Sequence, residues 1–149
     1  MKIAFVTSPG GHLSHLLLLR PFFERHERVW FAPATQDALH KLRDERHIPI
    51  EAGVARRPAF ALRTLARARS LLAAERPDVV VTAGSGMALP YLLVARSMGI
   101  ATVFIEVYDR FERPSLTGAL VAPWVDAVIA QWPEQLESYP SAVLLGPIL

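Results

Sequence analysis

Short apolar runs alternate along this chain with longer segments in which apolar residues recur at helical spacing. The runs, which are typical of buried strands, cover residues 1–7, 28–32, 48–50, 79–82, 101–106, 126–130 and 142–145. The first segment with helical spacing begins at residue 11, and the others cover residues 35–46, 57–76, 87–98 and 114–123. Strands that alternate with helices across short connections predict a parallel sheet with helices on both of its faces.

Local signals refine the ends of three predicted helices. Thr35 is a favourable N-cap, because its hydroxyl can accept a hydrogen bond from an unpaired backbone N–H of the first turn. Gly99 suits the position just after a helix end. Pro21 lies in the first helical segment, which runs towards Phe23, and is expected to kink or end that helix.

The helix predicted over residues 57–76 is amphipathic. Its apolar arc is predicted to consist of Leu62, Leu65, Ala66, Leu72 and Ala73. Arg63 and Arg67 lie together on the opposite face. This basic face is either simply solvated or attracts anionic lipid headgroups or a partner chain.

Composition sets the class of protein. At 149 residues, 52% of them hydrophobic, the chain is long enough for one domain with a substantial core, and we predict a single Rossmann-like α/β domain over residues 1–149. The 16 Lys and Arg residues nearly balance the 14 Asp and Glu residues, and a net charge of +2 does not indicate a nucleic-acid partner. The absence of cysteine excludes disulfides and thiolate metal sites and allows a cytosolic location.

Targeting segments are not expected. The N-terminus has one lysine and then enters a strand-like run, which does not fit a signal peptide. The longest uncharged stretch, residues 79–95, is short for a membrane span and contains Gly84, Gly86 and Pro90. A strand, a turn and a helix explain that stretch better.

Two glycine turns follow predicted strands. Gly10 and Gly11 lie in the first, S-P-G-G-H-L at residues 8–13, and the second is A-G-S-G at residues 83–86. Adjacent glycines permit positive φ and close approach of a ligand to the backbone, and amide groups at such turns can bind anions. A tight turn with a surface histidine, His12, is the alternative explanation of the first stretch. Because the carboxyl ends of parallel strands meet at one sheet edge, we expect both turns to lie there.

Glu106 ends the apolar run I-A-T-V-F-I-E and is predicted at the same edge. A partly desolvated carboxylate there has a property of general bases, because burial favours the protonated form. The carboxylate could instead cap a nearby helix N-terminus or pair with Arg110. The residues alone leave these alternatives open.

Several common motifs are missing. The first turn lacks the G-x-G-x-x-G spacing of dinucleotide-binding proteins and the G-K-[ST] of a Walker loop. His12 and His15 are three residues apart, but no carboxylate lies close to them in sequence, so a metal site is not expected. The chain also contains no D-x-D, which gives no support for a metal-bound donor diphosphate.

Five segments taken together resemble one known family. They are S-P-G-G-H-L (8–13), P-D-V-V-V-T-A-G-S-G-M-A-L-P-Y (77–91), I-E-V-Y-D-R-F-E-R-P-S-L-T-G (105–118), D-A-V-I-A-Q-W-P-E (126–134) and L-L-G-P-I-L (144–149). The set is similar to the acceptor-side, membrane-recruiting subunit of two-chain UDP-sugar-dependent glycosyltransferases. The family includes the subunit of the dolichol-linked N-acetylglucosaminyltransferase and relatives that build bacterial exopolysaccharides.

The resemblance implies the N-terminal half of a split GT-B glycosyltransferase. A second chain would supply the half that holds most of the UDP-sugar site, and no cofactor would be tightly bound. The acceptor would be linked to a polyprenyl diphosphate, and the protein would lie at the cytoplasmic face of the membrane. By resemblance, the residues that face the acceptor and its diphosphate are Gly10, Gly11, His12, Gly84, Ser85, Gly86 and Arg110.

The chemistry of sugar transfer assigns roles to two of these positions. A base must take the proton of the acceptor hydroxyl, and Glu106 or His12 could be that base, with Glu106 preferred. Arg110 matches the arginine of the family's E-x-x-x-R element, but the neighbouring Asp109 could neutralise it. The family's bacterial members usually carry a small residue after the glutamate, whereas this chain has Val107.

Two other classes of function remain open at this point. The chain could be a non-catalytic scaffold that recruits a complete transferase, or a stand-alone module that binds nucleotide sugars. Under the transferase hypothesis, we predict that Trp132 and the apolar tail Pro147, Ile148 and Leu149 contact the partner chain.

Overall fold

Seven parallel strands form one sheet in the computed structural model, which describes residues 1–53 and 58–148. The strands are β1 Lys2–Val6, β2 Glu27–Ala32, β3 His47–Pro49, β4 Val79–Thr82, β5 Ala101–Ile105, β6 Ala127–Ala130 and β7 Val143–Leu144. The helices are α1 Gly11–Leu17, α2 Arg20–Phe23, α3 Gln36–Lys41, α4 Pro58–Glu75, α5 Leu89–Ser97, α6 Leu116–Val121 and α7 Gln135–Ser138. A 3-10 turn, Gly86–Ala88, precedes α5. The predicted alternation of strands and helices is confirmed.

The strand order places the two glycine turns side by side. The order is β3-β2-β1-β4-β5-β6-β7, so β1 to β3 extend the sheet to one side and β4 to β7 extend it to the other. The strand order therefore reverses between β1 and β4, where Phe5 is in register with Val81. Ligands of open α/β sheets bind outside the carboxyl ends of the strands at such a reversal point. The first glycine turn follows β1 and the second follows β4, as expected.

Helices cover the sheet unequally on its two faces. On one face α4, α5 and α6 enclose a core that includes Leu72, Leu92 and Phe104. On the other face α1, α2 and α3 cover the half formed by β1 and β2, where Phe5 stacks on Trp30 with ring centroids 4.3 Å apart. The remaining half of that face is only partly covered, and its apolar side chains are partly buried: Val79, Val103 and Ile129.

Two predicted helices end earlier than expected. The first stops at Leu17, and Pro21 lies in the first turn of the separate helix α2, where a missing N–H costs no hydrogen bond. The helix capped by Thr35 ends at Lys41 instead of residue 46, because the chain turns there and β3 begins at His47. The Thr35 hydroxyl accepts the predicted capping hydrogen bond from Ala38 N at 3.2 Å.

The predicted apolar arc of α4 is wrong in part. Leu62, Ala66 and Ala73 are exposed, and the residues that α4 buries are Ala68, Leu71, Leu72 and Glu75. Glu75 is 7% exposed and makes ion pairs with Arg46 (2.6 Å) and Lys2 (2.9 Å). An ion-paired carboxylate on the buried face does not register in a hydrophobic pattern. The start of this predicted helix at residue 57 lies outside the described residues.

Candidate functional site

A cleft of about 420 Å³ opens at the carboxyl edge of the sheet, beside the reversal point. Its walls come from both glycine turns, from the loop after β5 and from the start of α6. The lining residues are Gly11, His12, His15, Gly84, Ser85, Val107, Tyr108, Asp109, Arg110, Ser115 and Thr117. The tertiary structure thus brings three distant segments to one polar opening.

Most of the predicted acceptor-facing residues lie at this cleft. Gly11, His12, Gly84, Ser85 and Arg110 line it. Gly10 and Gly86, the other two predicted acceptor-facing residues, are not part of the lining, and neither is Glu106, which was predicted as the base.

Gly10 shapes the first turn. Its φ is +81°, a conformation that favours glycine, and its N–H donates a hydrogen bond to Asp37 Oδ2 at 3.0 Å. Lys41 in turn pairs with Asp37 at 2.7 Å and donates to Ser14 Oγ at 2.9 Å. Helix α3 therefore holds the first glycine turn in place, and the Gly10 N–H is already engaged.

The second turn is held by Thr82 and carries backbone strain. The Gly84 N–H donates to Thr82 Oγ1 at 3.1 Å, and that hydroxyl donates to the Gly84 carbonyl at 3.1 Å. Ser85, which follows, has φ +76° and ψ +128°, an unfavourable backbone for a residue with a side chain. The strained residue lies in the cleft lining, where such strain commonly accompanies function.

His12 joins the two turns. A Cβ atom placed on Gly84 would lie 3.6 Å from His12 Cε1, so the imidazole packs against the bare Cα of Gly84. Burial lowers the pKa of His12, while Asp109, Glu106 and a hydrogen bond with the Ala83 backbone act in the opposite direction. The ring is therefore a neutral proton acceptor at pH 7.

Glu106 is completely buried and fully hydrogen-bonded. Oε1 accepts from Val107 N at 2.9 Å, and Oε2 accepts from Ser115 N at 3.0 Å and from the Tyr139 hydroxyl at 2.5 Å. Ser115 is the N-cap residue of α6. The Glu106 carboxylate therefore contacts a helix N-terminus and does not pair with Arg110, which was the other structural alternative. Burial and the hydrogen bond to Glu106 raise the pKa of Tyr139, which keeps the phenol protonated. The role of Glu106 as base stays a prediction.

The loop after β5 is held by residues that sequence reasoning missed. Gln135 Nε2 donates to the carbonyls of Val107 (3.1 Å) and Arg110 (3.0 Å), and its Oε1 accepts from Gln131 N at 2.7 Å. Trp132 Nε1 donates to the Tyr108 carbonyl at 2.7 Å. Trp132 belongs to the Q-W-P-E segment and Gln135 directly follows it, so the donors that this loop needs come from one short stretch of sequence.

The acidic and basic residues of this loop both face the cleft. Asp109 and Arg110 line it and are exposed. Among residues 1–53 and 58–148 no ion pair joins Asp109 to Arg110. The guanidinium thus remains available to an anion in the cleft.

The predicted partner contacts differ in their surroundings. Trp132 packs on Phe111 with ring centroids 5.3 Å apart, which accounts for this side chain within the chain itself. The Ile148 N–H donates to Gln131 Oε1 at 2.8 Å, Pro147 is exposed, and Leu149 lies outside the described residues. Contact of these residues with a partner stays a prediction.

An apolar groove of about 400 Å³ lies on the partly covered sheet face. Its walls are apolar residues of β1, β4, β5 and β6, the segment from α1 to α2, and the C-terminal segment. They are Met1, Ile3, Phe5, Leu19, Phe22, Val79, Val81, Val103, Ile105, Ile129, Leu145 and Ile148. Parallel sheets are normally covered on both faces, so this groove is a surface that lacks a cover.

Residues 1–53 and 58–148 contain neither a candidate metal site nor a candidate membrane-spanning helix. No group of three or more His, Asp or Glu side chains in this part of the chain is arranged to hold a metal ion. None of its helices is both long enough and apolar enough to cross a bilayer.

Known proteins share both sequence and fold with this chain. The family described as oligosaccharide biosynthesis protein Alg14 like matches residues 23–148. UDP-N-acetylglucosamine transferase subunit ALG14 of Mus musculus is 35% identical over 80 residues, which cover 50% of this chain and 37% of the mouse protein. The UDP-N-acetylglucosamine--N-acetylmuramyl-(pentapeptide) pyrophosphoryl-undecaprenol N-acetylglucosamine transferase of Bacillus subtilis is 27% identical over 147 residues, which cover 89% of this chain and 40% of the enzyme.

The fold has a counterpart of known structure. The crystal structure of Acinetobacter baumannii MurG superposes with a TM-score of 0.80 at 20% identity, covering 98% of this chain and 45% of that chain. The prediction of a Rossmann-like domain equivalent to part of a GT-B glycosyltransferase is confirmed at the level of the fold. The matched regions make up less than half of the length of each of these relatives.

Proposed function

The chain belongs to the family of Alg14-like oligosaccharide biosynthesis proteins, and from that premise we propose that it is the acceptor-binding, membrane-associating subunit of a two-chain glycosyltransferase. The enzyme transfers N-acetylglucosamine or a related hexose from a UDP-sugar to an acceptor linked to a polyprenyl diphosphate. The observation that carries the proposal is the polar cleft at the reversal point of the sheet, lined by both glycine turns. The substrate class is proposed from the names of two relatives, which contain UDP-N-acetylglucosamine and pyrophosphoryl-undecaprenol.

The cleft offers suitable groups to an acceptor diphosphate. The Arg110 guanidinium can bind phosphate oxygens in a bidentate manner. The Ser85 hydroxyl and the backbone N–H of Gly11, at the start of α1, provide further polar contacts in the same lining. These groups bind a diphosphate without a metal ion.

His12 is the group that we propose to accept the proton of the acceptor hydroxyl. The hydroxyl oxygen attacks the anomeric carbon, the bond from that carbon to the UDP oxygen breaks with inversion, and the proton passes to the imidazole. The lowered pKa of His12 keeps the ring neutral and therefore competent. For Glu106, the base preferred from sequence, we propose instead a positioning role, supported by its burial and by the hydrogen bonds that its carboxylate accepts from Val107 N and Ser115 N.

The apolar groove is the surface that we propose for the partner chain, which supplies most of the UDP-sugar site. Exposed apolar side chains at its rim, Phe22 (52% exposed) and Leu145 (65%), lose contact with water when a partner helix covers them. The groove includes Ile148 of the C-terminal segment, for which a partner contact was predicted. Its location on the sheet face leaves the cleft at the sheet edge open to substrates.

Membrane association is proposed for the exposed surface of α4. Arg63 and Arg67 are exposed one helical turn apart, beside Leu62, which is 69% exposed. Guanidinium groups next to an exposed apolar side chain suit the interface of a bilayer with anionic headgroups. We propose that this contact holds the subunit at the cytoplasmic face of the membrane, within reach of a polyprenyl-linked acceptor.

The test is a transfer assay on the purified chain, on a candidate second chain with a UDP-binding pattern, and on the mixture. We expect transfer from UDP-N-acetylglucosamine to a polyprenyl-diphosphate-linked acceptor only from the mixture. Full activity of this chain alone refutes the two-chain enzyme. Full activity of the second chain alone identifies this chain as a scaffold.

A further inference from the structure

His15 carries a buried hydrogen-bonding atom without a partner. The residue is 5% exposed. Its Nδ1 is buried, and no atom of residues 1–53 and 58–148 forms a hydrogen bond with it. An unsatisfied buried polar atom destabilises the folded state, so it needs an explanation. The transfer mechanism proposed above makes no use of His15.

The neighbouring Gln131 determines where the proton of His15 lies. Gln131 Oε1 accepts from Ile148 N at 2.8 Å, which orients the amide and leaves Nε2 to donate to the Glu106 carbonyl at 2.6 Å. The second proton of Gln131 Nε2 points to His15 Nε2, 2.8 Å away. Nε2 of His15 must therefore be the acceptor, and the neutral ring carries its proton on Nδ1.

The neutral form is also the favoured one. Burial lowers the pKa of His15, and the positive charge of a protonated His12 acts in the same direction, while the charge of Asp109 opposes the shift. His15 thus presents an Nδ1–H donor. The Gln131 side chain sets the tautomer of the imidazole and also bonds the Glu106 carbonyl, just after β5.

The surroundings of His15 are those of a ligand site. The residue lines the cleft, and it also lines an adjoining hollow with Gly11, Tyr108 and Ile148. The exposed Tyr108 ring lies edge-on to the imidazole, with centroids 6.1 Å apart. Tyr108 is carried by the loop after β5 and is 48% exposed, so His15 lies between the cleft and an accessible aromatic side chain.

We propose that the Nδ1–H of His15 is a ligand-binding donor that bonds an oxygen of the diphosphate held in the cleft. The inference rests on the proposed function for the identity of the diphosphate, which could belong to the acceptor or to UDP. Because Arg110 lies on the same cleft, the diphosphate receives one charged and one neutral donor. The Nδ1–H needs an oxygen with a free lone pair, which an unprotonated phosphate oxygen provides.

Two substitutions separate ligand binding from support of Gln131. His15→Asn keeps an N–H two bonds from Cβ, where Nδ1 lies, and His15→Gln keeps an oxygen or nitrogen three bonds from Cβ, where Nε2 lies. We expect His15→Gln to weaken binding of inorganic pyrophosphate to the purified chain by about tenfold or more, and His15→Asn to change it by less than about threefold. The reverse order, or no binding of pyrophosphate to the unchanged protein, overturns the proposal.

Nitrogen NMR of the unchanged protein gives a second test that needs no variant. We expect the imidazole spectrum of His15 to show the Nδ1–H tautomer at pH 7, and pyrophosphate to shift its Nδ1 resonance. An Nε2–H tautomer, or a shift at His12 without one at His15, contradicts the proposal.

The source of the diphosphate is resolved in the two-chain assay. A higher KM for the acceptor in His15→Gln, with an unchanged KM for the UDP-sugar, identifies the acceptor, and the opposite pattern identifies UDP. Pyrophosphate binding is measured on this chain alone, so an inactive mixture refutes the transferase and leaves the role of His15 in place. An active mixture with no effect on pyrophosphate binding in His15→Gln refutes the role of His15 alone.

Discussion

Gly118 faces the Glu106 carboxylate so closely that no side chain fits between them. A Cβ atom on Gly118 would lie 2.6 Å from Glu106 Oε2, and the Tyr139 hydroxyl is nearer still. The glycine of the S-L-T-G segment thus lets α6 approach the buried carboxylate, whose Oε2 accepts from the N-cap residue of that helix. The glycine at this position of the family-like segment 105–118 therefore has a packing reason.

Substitution of Gly118 by alanine is expected to lower the free energy of unfolding by about 2 kcal/mol, because the methyl group must displace Glu106 or Tyr139. Urea denaturation followed by circular dichroism measures the change. Gly11→Ala is the matched control, since no atom lies within 4 Å of a Cβ at that position. Equal stability of the two variants would show that α6 does not pack on the carboxylate as described.

Ser85→Gly is expected to stabilise the protein by about 1 kcal/mol, because glycine adopts φ +76° without strain. Ser85→Ala removes the same hydroxyl but keeps the strain, so it should leave stability nearly unchanged. If Ser85 contacts the acceptor, both variants raise the KM for the acceptor in the two-chain assay. A stability gain shared by both variants would place its origin in the hydroxyl and not in the backbone.

The pH dependence of transfer should report His12. Because burial lowers the pKa of His12, its neutral form persists below pH 6.5, and the acidic limb of kcat/KM should lie below that value. Asp109→Asn removes a charge that raises this pKa, so the limb should move to still lower pH. The limb should disappear in His12→Asn, and an unaltered profile in that variant assigns the proton to another group.

Acid stability should depend on Glu75. Hydrogen bonds from Arg46 and Lys2 lower the pKa of Glu75 to about 2 from 4.5. A carboxyl group whose pKa is lower in the folded state stabilises the protein above pH 4.5, and this contribution is lost as the pH falls from 4.5 towards 2. Glu75→Gln should cost about 2 kcal/mol at pH 7 and nearly nothing near pH 2, measured by urea titrations across this range. A loss that is independent of pH would contradict this account.

Partner binding should depend on the rim of the apolar groove. The double substitution of Phe22 and Leu145 by serine is expected to weaken co-purification of the second chain by about tenfold or more, since each buried apolar side chain contributes about 1–2 kcal/mol. Leu39→Ser is the control, because Leu39 is 50% exposed on α3 and does not line the groove. Equal retention of the partner by both proteins would exclude the groove as the interface.

The sequence by itself determined the order of the elements and the edge of the sheet at which the cleft lies. Apolar runs and helical spacing are local patterns, and the rules for parallel sheets convert them into a topology with few alternatives. For that reason β1, β4 and β5, both glycine turns and the location of Glu106 at a strand end could be predicted. The resemblance to the Alg14-like family came from the same segments and is confirmed.

Only the tertiary structure decided which polar groups of these segments face the cleft. Glu106 and His12 are both expected there from sequence, but the Glu106 carboxylate is buried against Ser115 and Tyr139, 9 and 33 residues further along the chain, whereas the His12 imidazole lines the cleft. His15 and Gln131 are 116 residues apart, and no local pattern announces a hydrogen bond between them. Burial and hydrogen-bond partners depend on which residues meet in space, and a chain pattern of period two or 3.6 carries information only about neighbours in sequence.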